Sequence, residues 1–175
     1  MFSADGGKTW QEWTSAIANP TFLNIYEITA EGGLPLLVGE GGLVLKGDAN
    51  CKNFKSLPGP YSATLFGAIT KDSGGLLVYG IDGGAYLSMN SGSTWNVLAL
   101  GTNSVLDSGV LLGSGEMVMG SLDGRLYLSD TGLQNFRQAS VSVPFQIAGM
   151  AVTPDGNLAV VGNGGIRIIP AASIR

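Results

Sequence analysis

A repeat of about 41 residues runs the length of this chain, and it constrains the fold more than any other feature. Aromatic residues close short polar stretches at Trp10, Phe54, Trp95 and Phe136, at spacings of 44, 41 and 41. A glycine closes an apolar run at Gly39, Gly80, Gly120 and Gly162, at spacings of 41, 40 and 42. Upstream of each lies an apolar residue, Ile28, Ile69, Val110 and Val152. Three independent landmarks that agree on one period mark a repeat architecture. Each unit holds four strand-like runs. In the first full unit these are residues 22–29, 34–39, 42–47 and 53–57, bounded by Gly, Asp, Asn and Ser. Asp82-Gly83 and Asp123-Gly124 fall between the second and third runs, where a tight hairpin needs positive φ. No segment keeps a helical apolar period. Four strands per unit, repeated, is the blade of a β-propeller. The chain therefore reads as all-β, a propeller or propeller fragment of about four four-stranded blade equivalents, with first-run and second-run residues forming the core.

The units run approximately over 1–18, 19–59, 60–100, 101–141 and 142–175, as a single propeller domain. The first holds only a fourth run and the last lacks one. Two readings stay open: the N-terminal strand completes the last blade and closes a four-bladed ring, or the chain is the C-terminal part of a longer propeller. A truncated, inactive product with bare strand edges is a third.

Composition removes whole classes of function. The chain carries nine Lys and Arg against thirteen Asp and Glu, a net charge of −4. No basic face for nucleic acid or anionic lipid follows from that count. There is no His, which removes imidazole triads and imidazole metal sites. The single Cys51 pairs with nothing internally and reads as an incidental thiol. No cofactor, metal site or catalytic residue is expected. There is no apolar window for a membrane-spanning helix, and residues 1–7 carry no signal-peptide pattern.

One motif stands out. Ser3, Asp5, Gly7, Thr9 and Trp10 match the Asp-box pattern S-x-D-x-G-x-T-W, and Ser88, Asn90, Gly92, Thr94 and Trp95 match it with Asn for Asp. The stretches ending at Phe54 and Phe136 are degenerate: Thr131 and Leu133 stand where the second expects Asp and Gly, and Asp48 is shifted in the first. The Asx side chain accepts turn N–H groups and Gly permits positive φ. The box is therefore expected to staple the third and fourth runs rather than bind a ligand.

These boxes resemble the bacterial neuraminidase (BNR, Asp-box) repeats. The fuller pattern of apolar run, Gly turn, apolar strand and box resembles the photosystem II stability/assembly factor-like family, in particular its homologues in non-photosynthetic proteobacteria. The resemblance covers the whole chain and corresponds to the C-terminal half of such proteins, best carried by residues 76–95 and 3–10. It implies a propeller of about seven blades in an exported, periplasmic parent. It also implies a non-catalytic role, binding a protein partner such as a membrane complex or transporter. The family's basic patch does not transfer, because Arg125, Arg137, Arg167 and Arg175 are scattered.

The alternative is an Asp-box carbohydrate-binding or sialidase-like glycoside hydrolase. Sialidase chemistry needs three arginines around a carboxylate, and only Arg125 and Arg167 fall on comparable strands. Glycosidases need two carboxylates flanking a cleft. Glu27 and Asp107 lie in first runs, which line a propeller's channel, so they are the members of any channel site. The turns at Gly39-Glu40-Gly41-Gly42 and Gly162-Asn163-Gly164-Gly165 are hairpins by position, not phosphate cradles.

Overall fold

A computed structural model describes residues 1–30, 35–71 and 74–174. Leu34, at the start of a second run, and Arg175 lie outside the described residues. The first blade is β1 (Ile25–Thr29), β2 (Leu36–Gly39), β3 (Val44–Gly47) and β4 (Phe54–Ser56). The second is β5 (Leu65–Lys71), β6 (Gly75–Gly80), β7 (Ala85–Ser88) and β8 (Asn96–Val97). The third is β9 (Leu106–Leu111), β10 (Met117–Ser121), β11 (Arg125–Ser129) and β12 (Phe136–Ser142). The fourth has three strands, β13 (Ile147–Val152), β14 (Leu158–Gly162) and β15 (Gly165–Ile169), followed by the one-turn helix α1 (Ala171–Ile174). All pairings within these sheets are antiparallel. The molecule is a four-bladed β-propeller whose inner strands β1, β5, β9 and β13 pack in chain order along a central groove. No described helix is long and apolar enough to cross a membrane.

The second strands β6 and β10 are apolar on both sides because neighbouring blades cover both of their faces. Leu36, Val38 and Val44 pack against Leu76, Val78 and Tyr86 of the next blade. Leu77, Tyr79, Ala85 and Leu87 pack against Met117, Met119 and Tyr127. Val118, Leu126 and Leu128 pack against Leu158, Val160 and Ile169. Third strands contribute as much to this core as first strands. Ile28, expected inside, is 64 % exposed. It pairs with Leu37, whose side of the first blade has no preceding blade to cover the inner strand.

The register sharpens the repeat. Every pairing of first and second strand carries a bulge, at Tyr26, Phe66, Asp107 and Ala148. The residue just before each bulge pairs with Gly39, Gly80, Ser121 and Gly162 in turn, so in the third blade Ser121, not Gly120, holds the landmark position. A Cβ on Gly39, Gly80 or Gly162 would lie 2.0, 2.1 or 1.8 Å from the carbonyl oxygen of Asn24, Thr64 or Gln146. The requirement is therefore steric rather than conformational. Gly120 answers a different need: its Cβ would press on Ile147 of the fourth blade at 2.9 Å. In the first blade Thr29 pairs with Leu36, and in the fourth Ala151 pairs with Ala159. These two occupy the place of Ile69 and Val110, one residue beyond Ile28 and one before Val152.

The hairpin at Asp82-Gly83 has both residues at positive φ (57° and 67°), whereas at Asp123-Gly124 only Gly124 (83°) does. The N-terminal stretch does not complete the last blade of its own chain. Phe2 bridges Gln11, Phe2 stacks on Trp13 with ring centroids 3.8 Å apart, and Ile17 runs parallel beside Phe54 of the first blade.

Candidate functional site

The bulges position the chemistry. Each bulge turns one extra side chain out of the ladder at the same end of successive inner strands. Tyr26 and Phe66 meet there edge to face, with ring centroids 5.3 Å apart. The Tyr26 hydroxyl donates to Glu40 Oε1 at 3.2 Å. Glu40 also accepts the Asn24 N–H on Oε2 (3.0 Å) and the Asn24 side-chain amide on Oε1 (2.9 Å), which holds its carboxyl below the usual range. Tyr26 is 48 % exposed, and Phe22, in the loop leading into β1, is 78 % exposed. The bulge end of the first two blades therefore presents the Tyr26 ring beside the Glu40 carboxylate.

Behind the bulges, the four inner strands line a groove of about 500 Å³, walled by residues such as Glu27, Thr29, Ile69, Val110 and Met150. Glu27 Oε2 accepts the Ala68 N–H at 2.7 Å, which ties the first blade to the second. The same carboxylate takes the Tyr79 hydroxyl. The charge of Asp107, at the third blade's bulge, also bears on that hydroxyl. Burial, then the charges of Glu27 and Asp107, push Tyr79 well above the usual tyrosine range, so it is a neutral donor. Burial also raises Asp107. The structure thus brings Glu27 and Asp107 to one buried tyrosine, rather than setting them across an open cleft.

Two glycines make room for that tyrosine. A Cβ on Gly67 would lie 2.2 Å from the Tyr79 ring, and one on Gly109 2.8 Å from it. The sequence reading missed Tyr26, Phe66 and Tyr79. Stacking the units would have aligned positions 26, 66 and 107, but nothing in one chain says that a bulge sits there.

The box residues form turns. Asp5 Oδ1 accepts the Thr9 N–H (2.9 Å), its Oδ2 accepts the Thr9 hydroxyl (2.6 Å), and Ser3 donates to it (2.8 Å). Asn90 accepts the Thr94 N–H at 2.9 Å, and Ser88 Oγ accepts the Gly92 N–H at 2.8 Å. Trp95 donates to the Pro58 carbonyl at 2.8 Å, joining its turn to the first blade's exit, whereas Trp10 reaches only Gly7 (3.1 Å) within its own turn. The degenerate turns use another geometry. Asp48 accepts the Lys52 N–H and the Asn53 amide, and Asp130 accepts the Gln134 N–H and the Asn135 amide. Asp130 thus supplies the carboxylate at the third blade's turn. Leu133 takes the positive φ (57°) expected of a Gly and buries its side chain between the second and third blades.

The Thr9 hydroxyl and N–H, with Ser3, hold Asp5 at about 2, below its ordinary 3.8. A depressed carboxyl stabilises its turn fully above the ordinary value and loses that effect as pH falls toward the folded one. The Trp10 fluorescence is expected to be flat above pH 4 and to change between about pH 4 and pH 2 as the turn opens. Asp5→Asn is expected to remove that step and keep the turn, since in the second blade Asn90 accepts the Thr94 N–H in the same way and its amide donates to the Thr94 hydroxyl instead of accepting from it.

Among the described residues no cluster of three or more acidic or thiol side chains is placed to hold a metal. The described arginines do not converge: Arg125 pairs with Asp123 at 3.5 Å, Arg137 reaches its neighbour's carbonyl, and Arg167 lies exposed on β15.

No protein-family model matches the chain, and no curated protein does. Solved structures match it well. The computationally designed protein Ika4 shares 11 % identity at a TM-score of 0.70, over 93 % of this chain and 99 % of that one. YCF48 bound to a D1 peptide shares 19 % at 0.62, over 86 % of this chain and 50 % of its own. An ancestral GH74 enzyme shares 12 % at 0.71, over 86 % and 23 %. The chain thus spans half of the YCF48 chain and under a quarter of the GH74 one. At these identities the likeness shows the propeller fold.

Proposed function

We propose that this chain is a non-catalytic propeller scaffold that holds a protein partner at the bulge end of its blades. The observation that carries the reading is Tyr26, 48 % exposed, which bonds to Glu40 and meets half-buried Phe66 edge to face where the inner strands begin. Aromatic side chains with a polar tip are the groups that anchor protein partners. A propeller of the same fold, YCF48, was solved with a peptide bound. The partner belongs to a membrane complex or transporter, and the parent protein acts in the periplasm. That part rests on the family resemblance alone.

The test is a cross-linked capture from solubilised envelope of the native host, followed by titration of the captured protein against purified variants. Tyr26→Ser with Phe66→Ser is expected to weaken binding by about 100-fold, the effect of losing paired hot-spot aromatics. Unchanged binding sinks the reading.

A glycoside-hydrolysing function is the second reading, favoured by the GH74 likeness and by Glu27 and Asp107 sharing a neighbour. Against it, Tyr79 is 1 % exposed and Glu27 is committed to Ala68 and Tyr79. Turnover on a glycoside panel that is lost in Glu27→Gln would establish the second reading over the first.

A further inference from the structure

We infer that Asn163 is a site of self-modification in the folded chain, where the side-chain amide cyclises onto the following residue and is replaced by a carboxylate or an isoaspartyl linkage.

The chemistry needs a side-chain amide, a following backbone nitrogen that can lose its proton, and open space between them. The chain has ten Asn, and of these only Asn163 precedes a Gly. The fold demands that Gly. A Cβ on Gly164 would lie 2.5 Å from the ring of Phe145, in the link that leads into β13. No side chain therefore shields the Gly164 nitrogen. Among the described residues nothing accepts the Gly164 N–H, so no hydrogen bond has to break before that nitrogen reacts.

Access to this spot belongs to the turn itself. Counting from Gly162 and its partners in register, Gly41, Asp82 and Asp123 hold the place of Gly164. All three are exposed, although a further blade follows each of them, and Asn163 and Gly164 are exposed as well.

The Asn163 side chain is held in a reactive orientation. Its Oδ1 accepts the Gln146 N–H at 3.1 Å, and its Nδ2 approaches Gln146 Oε1 at 3.5 Å. A donor at the carbonyl oxygen stabilises the negative charge that builds there as a nucleophile adds to the carbon. In the first blade Glu40 holds the same place, and its carboxylate accepts the Asn24 N–H at 3.0 Å. The site therefore accommodates the charged product.

The steps balance with water alone. Hydroxide takes the Gly164 amide proton, and the nitrogen attacks Asn163 Cγ. A C–N bond forms, the Cγ–Nδ2 bond breaks, and ammonia leaves with a proton from water, which restores the hydroxide. The product is a five-membered succinimide. One water then opens the ring. Cleavage at Cγ gives an aspartate at position 163, and cleavage at the backbone carbonyl gives an isoaspartate whose chain runs through Cβ and Cγ. Nothing is oxidised or reduced. The aspartate adds one carboxylate at the bulge end of a chain whose net charge is −4. The isoaspartate inserts a carbon into a turn of two residues, whose flanks Gly162 and Gly165 pair directly.

The test incubates the purified chain over days in two buffers one pH unit apart, then reads the digested peptides by chromatography and mass spectrometry. Aspartate and isoaspartate are expected to accumulate at position 163, with isoaspartate in excess. The rate is expected to be about tenfold higher in the more alkaline buffer, the proportion in which the amide anion grows. Asn163→Gln would have to close a six-membered ring and is expected to show no conversion over the same period. Conversion no faster than at the other nine Asn overturns the proposal. Aspartate without isoaspartate overturns the cyclic route, as does conversion of the Asn163→Gln chain. A parallel incubation in urea separates the turn from the bare sequence. Conversion in urea with none in the folded chain overturns the proposal, because the fold would then protect Asn163.

Discussion

Gly80→Ala is expected to cost the fold about 3–5 kcal/mol, the upper range for forcing atoms into a packed site. The added Cβ would sit 2.1 Å from the Thr64 carbonyl oxygen and 2.9 Å from the Leu65 Cα, both backbone atoms that no rotamer change removes. The Thr64 carbonyl is itself in use, accepting the Ile81 N–H at 3.2 Å, so moving it also loosens the turn between β6 and β7. The φ of Gly80 is extended, so close approach rather than backbone strain is the cause. The third blade supplies the control. Ser121 holds the same register position with a side chain, and its hydroxyl donates to Asp123 and to the Arg125 carbonyl (3.1 Å). Ser121→Gly is expected to cost about 1 kcal/mol, the loss of hydrogen bonds plus added chain freedom. Urea denaturation of both variants checks this, and equal losses would mean that the register was misread.

The contrast also shows what the sequence reveals. The period was legible because every blade must bury the same faces, and burial writes apolar runs at fixed intervals. Gly120 misled because its glycine answers to Ile147 of the fourth blade, whereas the position facing the bulge, one residue on, is a serine in this blade. The degenerate turns misled for a related reason. A carboxylate at Asp130 with an Asn five residues on does the work of the Asp-Thr pair at Asp5 and Thr9, so the pattern changed while the bonds persisted. Ile28 looked like core by its spacing, but burial depends on a neighbouring blade that spacing does not report.

The candidate site was half legible. Glu27 and Asp107 could be placed on first strands because the repeat gives strand order. Their shared neighbour could not be found, since Tyr79 lies on a second strand and reaches them only through two glycines on flanking inner strands. The aromatic surface at the bulges was invisible for the same reason. Tyr26 and Phe66 sit in what reads as plain strand, and the extra residue that turns them outward leaves no mark on composition.

Tyr79 is therefore where the largest loss at the site is expected. Its ring, 1 % exposed, lies in the core between the second and third blades, and its hydroxyl extends past Gly67 to Glu27 of the first. Tyr79→Ala is expected to cost about 3–5 kcal/mol, the range for emptying an aromatic site that cannot collapse. Tyr79→Phe keeps the ring and removes one donor from the Glu27 carboxylate, an expected loss of about 1–2 kcal/mol. Glu27→Gln in the Tyr79→Phe background then separates two causes. If the hydroxyl acts through Glu27, the double variant is expected to lose less than the two single variants added together, because the coupled pair is removed as a unit. Additive losses would mean that Tyr79 and Glu27 stabilise the blades independently. The hydroxyl would then be a packing feature of the core, and the three-blade contact would rest on Glu27 and the Ala68 N–H alone.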